Sequence, residues 1–249
     1  MFLLHGESKY IDMLEKSLYN GLISGVGMEG KSFFYTKAME IRNSYSHKDM
    51  EAQRSGWFPC SCCPTNVTRL IPSVPGYMYA QNNSNVYVNL FVSGTTSMTI
   101  DKKPVVIEQK NNYPWDGRLT FTVSPKSAQA FNLLVRIPGW AQNNAMPSDL
   151  YKFLEPSDKD VAITVNNKPV DFTIVKGYAT INRTWKKGDV LEVNLPMEVR
   201  RVEASKKVTD DQGKVALQRG PIIYCAEWPD NFGKTSNLVL PATAKFSVE

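Results

Sequence analysis

From Tyr77 onward the chain is written in short β-branched runs, and this limits what it can fold into. The runs are residues 86–92, 97–100, 105–107, 119–123, 131–137, 162–165, 170–175, 178–181 and 190–195. Many alternate apolar and polar side chains, the period of a strand with one buried face. Turn-forming clusters separate them: Asn82-Asn83-Ser84-Asn85, Asp116-Gly117 and Pro138-Gly139. Asn166-Asn167 predicts a hairpin, because asparagine tolerates positive φ. Short strands at this spacing predict an antiparallel β-sandwich over residues 77–198. A polar, Pro-containing insertion interrupts it at 141–159. Further runs at 199–203, 214–217 and 222–225 predict the start of a second sandwich over 199–249. Residues 238–249 also read as strand-like.

The 249 residues suffice for a sizeable core. With 42% hydrophobic and 21% charged residues, the composition is that of a soluble globular protein. The net charge of +5 comes from scattered Lys and Arg, with no basic stripe, so no nucleic-acid partner is expected. No apolar run approaches the roughly 20 residues of a membrane span, and the first residues lack the basic start of a signal peptide. A membrane partner is therefore not expected either. Four cysteines, grouped three and one, do not spell a secretory disulfide framework. Reduced thiols or a metal are expected, with a weak preference for the cytoplasm.

Before Tyr77 the pattern is helical. Apolar residues recur at Tyr10, Ile11, Leu14, Leu18, Leu22 and Ile23, which predicts a helix over 8–28 capped by Ser8. Residues 32–35 look extended, and 37–54 read as a long polar loop. Residues 65–71 predict a second helix with Pro64 in its first turn. So few helices cannot bury the apolar stripe of 10–23. Residues 1–76 are expected to be the end of a helical domain.

Chemistry concentrates at Trp57-Phe58-Pro59-Cys60-Ser61-Cys62-Cys63-Pro64-Thr65-Asn66. Structural zinc wants four ligands, and this run offers at most three thiols with no second Cys-x-x-Cys pair. A disulfide between adjacent cysteines is strained. A nucleophile needs a stabilised thiolate, which a helix N-terminus or a metal supplies. Small buried cysteines without chemistry are the remaining reading. Spacing alone leaves these alternatives open.

The stretch, with Arg69 after it, resembles the signature of glycoside hydrolase family 127, the β-L-arabinofuranosidases. The resemblance extends through Leu18-Tyr19-Asn20-Gly21-Leu22-Ile23-Ser24-Gly25 and Gly30-Lys31-Ser32-Phe33-Phe34-Tyr35. It continues through Leu134-Val135-Arg136-Ile137-Pro138-Gly139-Trp140, Gly177-Tyr178, Trp185-Lys186-Lys187-Gly188-Asp189 and Val215-Ala216-Leu217-Gln218-Arg219-Gly220-Pro221. It implies a mainly β chain: antiparallel β-sandwiches preceded by the last helices of an (α/α)6 catalytic barrel. It also implies a zinc-dependent retaining hydrolase of β-L-arabinofuranosides. Carried over, Cys62 is nucleophile and zinc ligand and Cys63 a zinc ligand, while Cys60 matches no assigned ligand. The family's Glu-Thr-Cys-like motif and acid/base glutamate have no counterpart in this sequence. The implied partners are an arabinofuranoside, the N-terminal barrel portion of the same enzyme, and a second copy in a homodimer. The isolated chain is expected to be inactive. The alternative is a non-catalytic β-sandwich module for carbohydrate binding or domain packing.

Other residues read more simply as structure. Trp140, Trp185 and Trp228 are expected to pack rather than stack on sugars. Glu29 and Glu40 read as solvated loop residues, and Glu108 and Glu192 as outward-facing strand residues. His5 and His47 have no partners at ligand spacing. Arg69 reads equally as a charge partner of the cysteines or a structural ion pair. No role is assigned to Cys225.

Overall fold

A computed structural model describes residues 1–35, 53–60, 62–232 and 235–248, and of Cys63 the backbone alone. Among the described residues the α-helices come first: α1 (Phe2–His5), α2 (Lys9–Ser17), α3 (Cys62–Leu70) and α4 (Pro75–Met78). The predicted first helix is broken into pieces. After α2 the backbone widens to a π-turn over Leu18–Leu22 and tightens to a 3-10 turn over Ile23–Gly25. Ser8 precedes α2, but its side chain makes no capping bond. Its backbone N–H instead donates to the Lys176 carbonyl. The second helix starts earlier than expected, at Cys62, so that Pro64 lies within its first turn.

Two sheets form the central sandwich. The first contains β1 (Tyr79–Asn82), β2 (Asn85–Val88), β6 (Gln129–Arg136), β11 (Tyr178–Trp185) and β10 (Ile174–Val175), paired in that order. The second runs β3 (Gly94–Ile100), β4 (Lys103–Asn111), β5 (Arg118–Pro125), β12 (Asp189–Asn194), β8 (Ala162–Val165), β9 (Lys168–Pro169). Strict alternation in β5 and β6 places Leu119, Phe121 and Val123 opposite Phe131, Leu133 and Val135 in one continuous core. Trp185 is fully buried within it. The hairpin at Asn166-Asn167 is present, with both residues at positive φ. The strands pair antiparallel, as expected, except β2 and β6, which pair in parallel. The expected strand over 170–175 is reduced to Ile174–Val175.

A third sheet orders as β15 (Ile222–Tyr224), β14 (Val215–Arg219), β13 (Val199–Ala204), β7 (Tyr151–Phe153). Its edge strand β7 comes from the polar insertion, where no strand is predicted; Phe153 pairs with Val202. Residues 238–248 form no strand, contrary to their composition. The protein is therefore mainly β with few helices. Among the described residues, no helix is long and apolar enough to cross a membrane.

Helix α2 is pinned to the sandwich by a buried polar cluster. Arg136, the last residue of β6, has no exposed surface. It donates to the Asn89 carbonyl, to Asp12 and through a two-pronged contact to Glu15. Asp12 also accepts from the Gly139 N–H, and Tyr113 donates its hydroxyl to Glu15 at 2.9 Å. Asp12 lies in the first turn of α2, where the helix dipole favours a carboxylate, and it serves as a tertiary anchor as well. Burial pulls the Arg136 proton affinity down, but the charges of Glu15 and Asp12 outweigh it and hold the guanidinium firmly protonated.

The same helix start meets the sandwich at Gly177. Its φ is +80°, and a Cβ there would stand 1.7 Å from the Ser8 hydroxyl oxygen. Both the backbone and the space demand glycine. Gly177→Ala is expected to cost about 2 kcal/mol, combining left-handed strain with displacement of Ser8. Urea unfolding at constant m-value reads this directly; a change below roughly 0.5 kcal/mol would contradict it.

Candidate active site

The cysteine stretch lies at the edge of the helical region. Residues 53–60 approach it as an extended segment in which Ser55 exchanges two backbone bonds with Phe33, at 3.0 and 3.1 Å. Phe33 in turn bridges Val26. Phe58 is buried between the rings of Phe33 and Tyr35, with centroids 5.1 and 5.3 Å away. This aromatic cluster fixes the chain just before the thiols.

Cys62 is the first residue of α3 and is exposed. The Pro-Thr-Asn that follows has a local reason. Thr65 Oγ1 and Asn66 Nδ2 both donate to the Cys62 carbonyl, at 2.9 and 2.8 Å. These bonds fix the backbone that carries the thiol, and Pro64 suits the first turn, where an N–H is not required.

Tyr35 is the residue that sequence reasoning missed. Its hydroxyl stands 3.0 Å from Cys62 Sγ. Hydrogen bonds to Cys62, and then to Cys60, push the phenol well above its ordinary value. The phenol therefore stays protonated, and it shares with the Cys62 sulfur a hydrogen bond that either group can donate. Cys60, matched to no ligand from the sequence, is thus brought to the same hydroxyl. The signal was present in the extended segment ending at Tyr35, but nothing local joins it to a thiol 27 positions later. Trp57 is 75% exposed beside the stretch.

Other candidates fall away from this place. Trp185 and Trp140 are buried in the sandwich, as expected of packing residues. Glu29 and Arg69 are exposed. Glu108 pairs with Lys110 on the strand surface, and Glu192 lies half-buried near Thr164. His5 packs against Tyr10. Glu40, His47 and the Cys63 side chain lie outside the described residues. Cys225 is exposed and lies in no disulfide.

The donor set bears on the expected metal. Thiolates are soft ligands that suit zinc, and Cys62 stands exposed at a helix start. Among the described residues, however, no three His, Cys, Asp or Glu side chains gather as a metal site.

Comparison with known proteins follows the same three-part division. Residues 1–76 match the β-L-arabinofuranosidase GH127 catalytic domain, 85–197 the GH127 middle domain, and 199–249 the family 127 C-terminal domain. The chain belongs to glycoside hydrolase family 127. Among curated family members it is 35% identical over 248 residues to the non-reducing end β-L-arabinofuranosidase of Bifidobacterium longum subsp. longum. That match takes in 94% of this chain and 34% of the relative. A solved GH127 β-arabinofuranosidase is 47% identical, with a TM-score of 0.83 over 92% of this chain and 35% of its own. The GH127 β-L-arabinofuranosidase of Geobacillus stearothermophilus T6 is 41% identical, with a TM-score of 0.84 over 98% of this chain and 37% of its own. The chain thus spans about a third of the length of these family members.

Proposed function

We propose that this chain is the C-terminal part of a zinc-dependent retaining hydrolase of β-L-arabinofuranosides, with Cys62 as its nucleophile. The observation that carries the reading is the Tyr35 hydroxyl 3.0 Å from the Cys62 sulfur, at the start of a helix. The helix N-terminus favours the anionic sulfur, and the phenol donates to it. Zinc, when held by Cys62 and Cys63, would keep the thiols deprotonated near neutral pH. The Cys62 sulfur attacks the anomeric carbon as the glycosidic C–O bond breaks. The leaving oxygen takes its proton from a carboxylic acid supplied outside this chain. Water then gives a proton back to that carboxylate and attacks the same carbon, the C–S bond breaks, the sulfur leaves as thiolate, and two inversions give net retention.

The helical face supports the missing part. Leu14, Leu18, Leu22, Leu70 and Tyr77 line an open apolar groove of about 440 Å³. Leu3, Leu4, Met13, Ile23 and Ile71, in the same helical region, are exposed as well. A surface of this kind is the inner face of a helical layer that other helices cover. The remaining helices of an (α/α)6 barrel would cover it, in a protein of the relatives' length.

The test is reconstitution. The chain alone is expected to leave an aryl β-L-arabinofuranoside intact. Combined with the N-terminal two-thirds of the B. longum relative, it is expected to hydrolyse it, and Cys62→Ser is expected to lower kcat by about a thousandfold or more. A reconstituted enzyme in which Cys62→Ser keeps the parental rate would exclude the cysteine nucleophile. Hydrolysis by the isolated chain, abolished by Cys62→Ser, would exclude the need for a second part.

A further inference from the structure

The third sheet reaches the cysteine stretch through one ion pair. Arg54 lies beside Ser55, on the segment that leads to the thiols. Its Nη1 and Nη2 each donate to a different oxygen of Glu227, both at 2.7 Å. Glu227 follows β15 in the C-terminal domain. Arg54 Nη2 also donates to the carbonyl of Ser24, within the 3-10 turn, at 2.7 Å. The guanidinium lies over the Phe34 ring, 4.5 Å from its centroid. The pair is about three-quarters shielded, at 22% and 28% side-chain exposure.

We infer that Glu227 is a positioning residue for the Cys62 site, acting through Arg54. The fork fixes Arg54 in direction as well as distance, which a single-point charge contact does not. Arg54 is joined by backbone to Ser55, which is paired with Phe33. Phe34 is held between the guanidinium and the Gly25 carbonyl, to which its N–H donates. Tyr35 comes next, with its hydroxyl on Cys62. A carboxylate in one domain therefore holds the segments that set the Tyr35–Cys62 contact in another. The sheet is docked beside this point by two more contacts. Lys16 donates to Gln218, and Asn20 exchanges bonds with Pro221 and Ile223. The C-terminal domain so becomes a brace for the site rather than an appendage. Displacement of a reacting group by about 1 Å is enough to matter in catalysis.

The functional meaning rests on Cys62 being the nucleophile; the measurement does not. Hydrogen exchange and site-resolved alkylation by iodoacetamide at one fixed pH, after metal chelation, are made on the 249-residue chain. Glu227→Gln is expected to reduce protection of the Phe33, Phe34 and Ser55 amides by about tenfold or more. It is expected to slow Cys62 alkylation by roughly threefold or more, as the Tyr35 donor leaves the sulfur. Arg54→Lys, which keeps charge but loses the fork, is expected to do the same, and Glu227→Asp to restore most of both readouts. Glu203→Gln, on the same sheet but in a surface pair with Lys152, is expected to change neither. Parental protection and alkylation in both Glu227→Gln and Arg54→Lys overturn the inference. An equal effect from Glu203→Gln overturns it too, because the response would then be general loosening of the sheet. If the clamp behaves as expected while reconstituted Cys62→Ser keeps its activity, the nucleophile assignment fails and the brace stands.

Discussion

Arg136→Met is expected to lower the unfolding free energy by about 3–5 kcal/mol. The size follows from what is left behind. Arg136 is completely buried, and Glu15 beside it is 2% exposed. Removing the cation strands a carboxylate that has almost no water to solvate it, together with Asp12 and the Asn89 carbonyl. Breaking such a cluster costs far more than its net worth, because desolvation has already been incurred for every member. A methionine fills much of the volume, so cavity formation contributes little to the loss. The loss is therefore expected to be electrostatic, and the double variant Arg136→Met/Glu15→Leu is expected to recover part of it. Urea unfolding gives the numbers. A single-variant loss below about 1 kcal/mol, or a double variant no better than the sum of the two singles, would show that the cluster is not energetically coupled. The effect also reaches the site. Helix α2 carries Lys16 and leads to Asn20 and Ser24, the groups that meet the third sheet and Arg54. A helix no longer pinned by Arg136 cannot hold them in register.

This cluster also shows what sequence pattern conveys and what it does not. The sandwich strands were legible because a buried face forces alternation: the runs at 119–123 and 131–137 expose their period without any partner being known. The Asn166-Asn167 hairpin was legible because positive φ selects so few residues. Strand β7 was not, since three residues in a polar insertion carry no period, and their stability comes from pairing with β13 about fifty positions later. The reverse failure occurs at 238–248, where apolar composition suggests a strand that no neighbour pairs. The parallel alignment of β2 and β6 is a matter of topology, on which local alternation is silent. At the site, spacing showed that Cys60, Cys62 and Cys63 were unusual, and resemblance alone separated them. Tyr35 and Glu227 were invisible because each acts across the fold, on a residue whose nearness only tertiary structure creates. Nothing in the helical period marks Asp12 and Glu15 for burial, because the arginine that they meet lies on β6.

The last expectation concerns alkaline pH. Tyr113 and Tyr178 are buried, at 9% and 1% exposure. Burial pushes both phenols well above their ordinary value. The Glu15 carboxylate adds to this at Tyr113, and Arg136 opposes it at both. Burial likewise raises Tyr19, and it raises Tyr79 to about 12. In the unfolded chain all four ionise near pH 10. Above that pH the unfolded state has released protons that the folded state still holds. Stability from these groups is thus complete below about pH 10 and is lost as pH rises further, by about 1.4 kcal/mol per pH unit for each of Tyr113 and Tyr178. Lys16 works in the opposite direction. Burial lowers it to about 8, so the unfolded chain binds the extra proton between about 8 and 10.5, and stability gains over that window as pH rises. The phenols win above it, because they are several and the lysine contribution has ended. Stability is therefore expected to rise by about 2–3 kcal/mol toward pH 10 and then to fall by about 3 kcal/mol per pH unit from Tyr113 and Tyr178 together, a slope that exhausts a typical domain's margin of about 5–15 kcal/mol within a few pH units. Tyrosinate absorbance near 295 nm and far-UV circular dichroism, followed together, decide the matter. Of the eleven tyrosines, the exposed ones are expected to titrate with the fold intact, and the buried ones to ionise in one step with the loss of dichroism. Tyr178→Phe removes one of the slopes and is expected to move that step to higher pH. A smooth titration of all the phenols with dichroism unchanged would mean that the hydroxyls at Asn89 and Glu15 are open to solvent, and that the pinned interface beneath α2 is not closed.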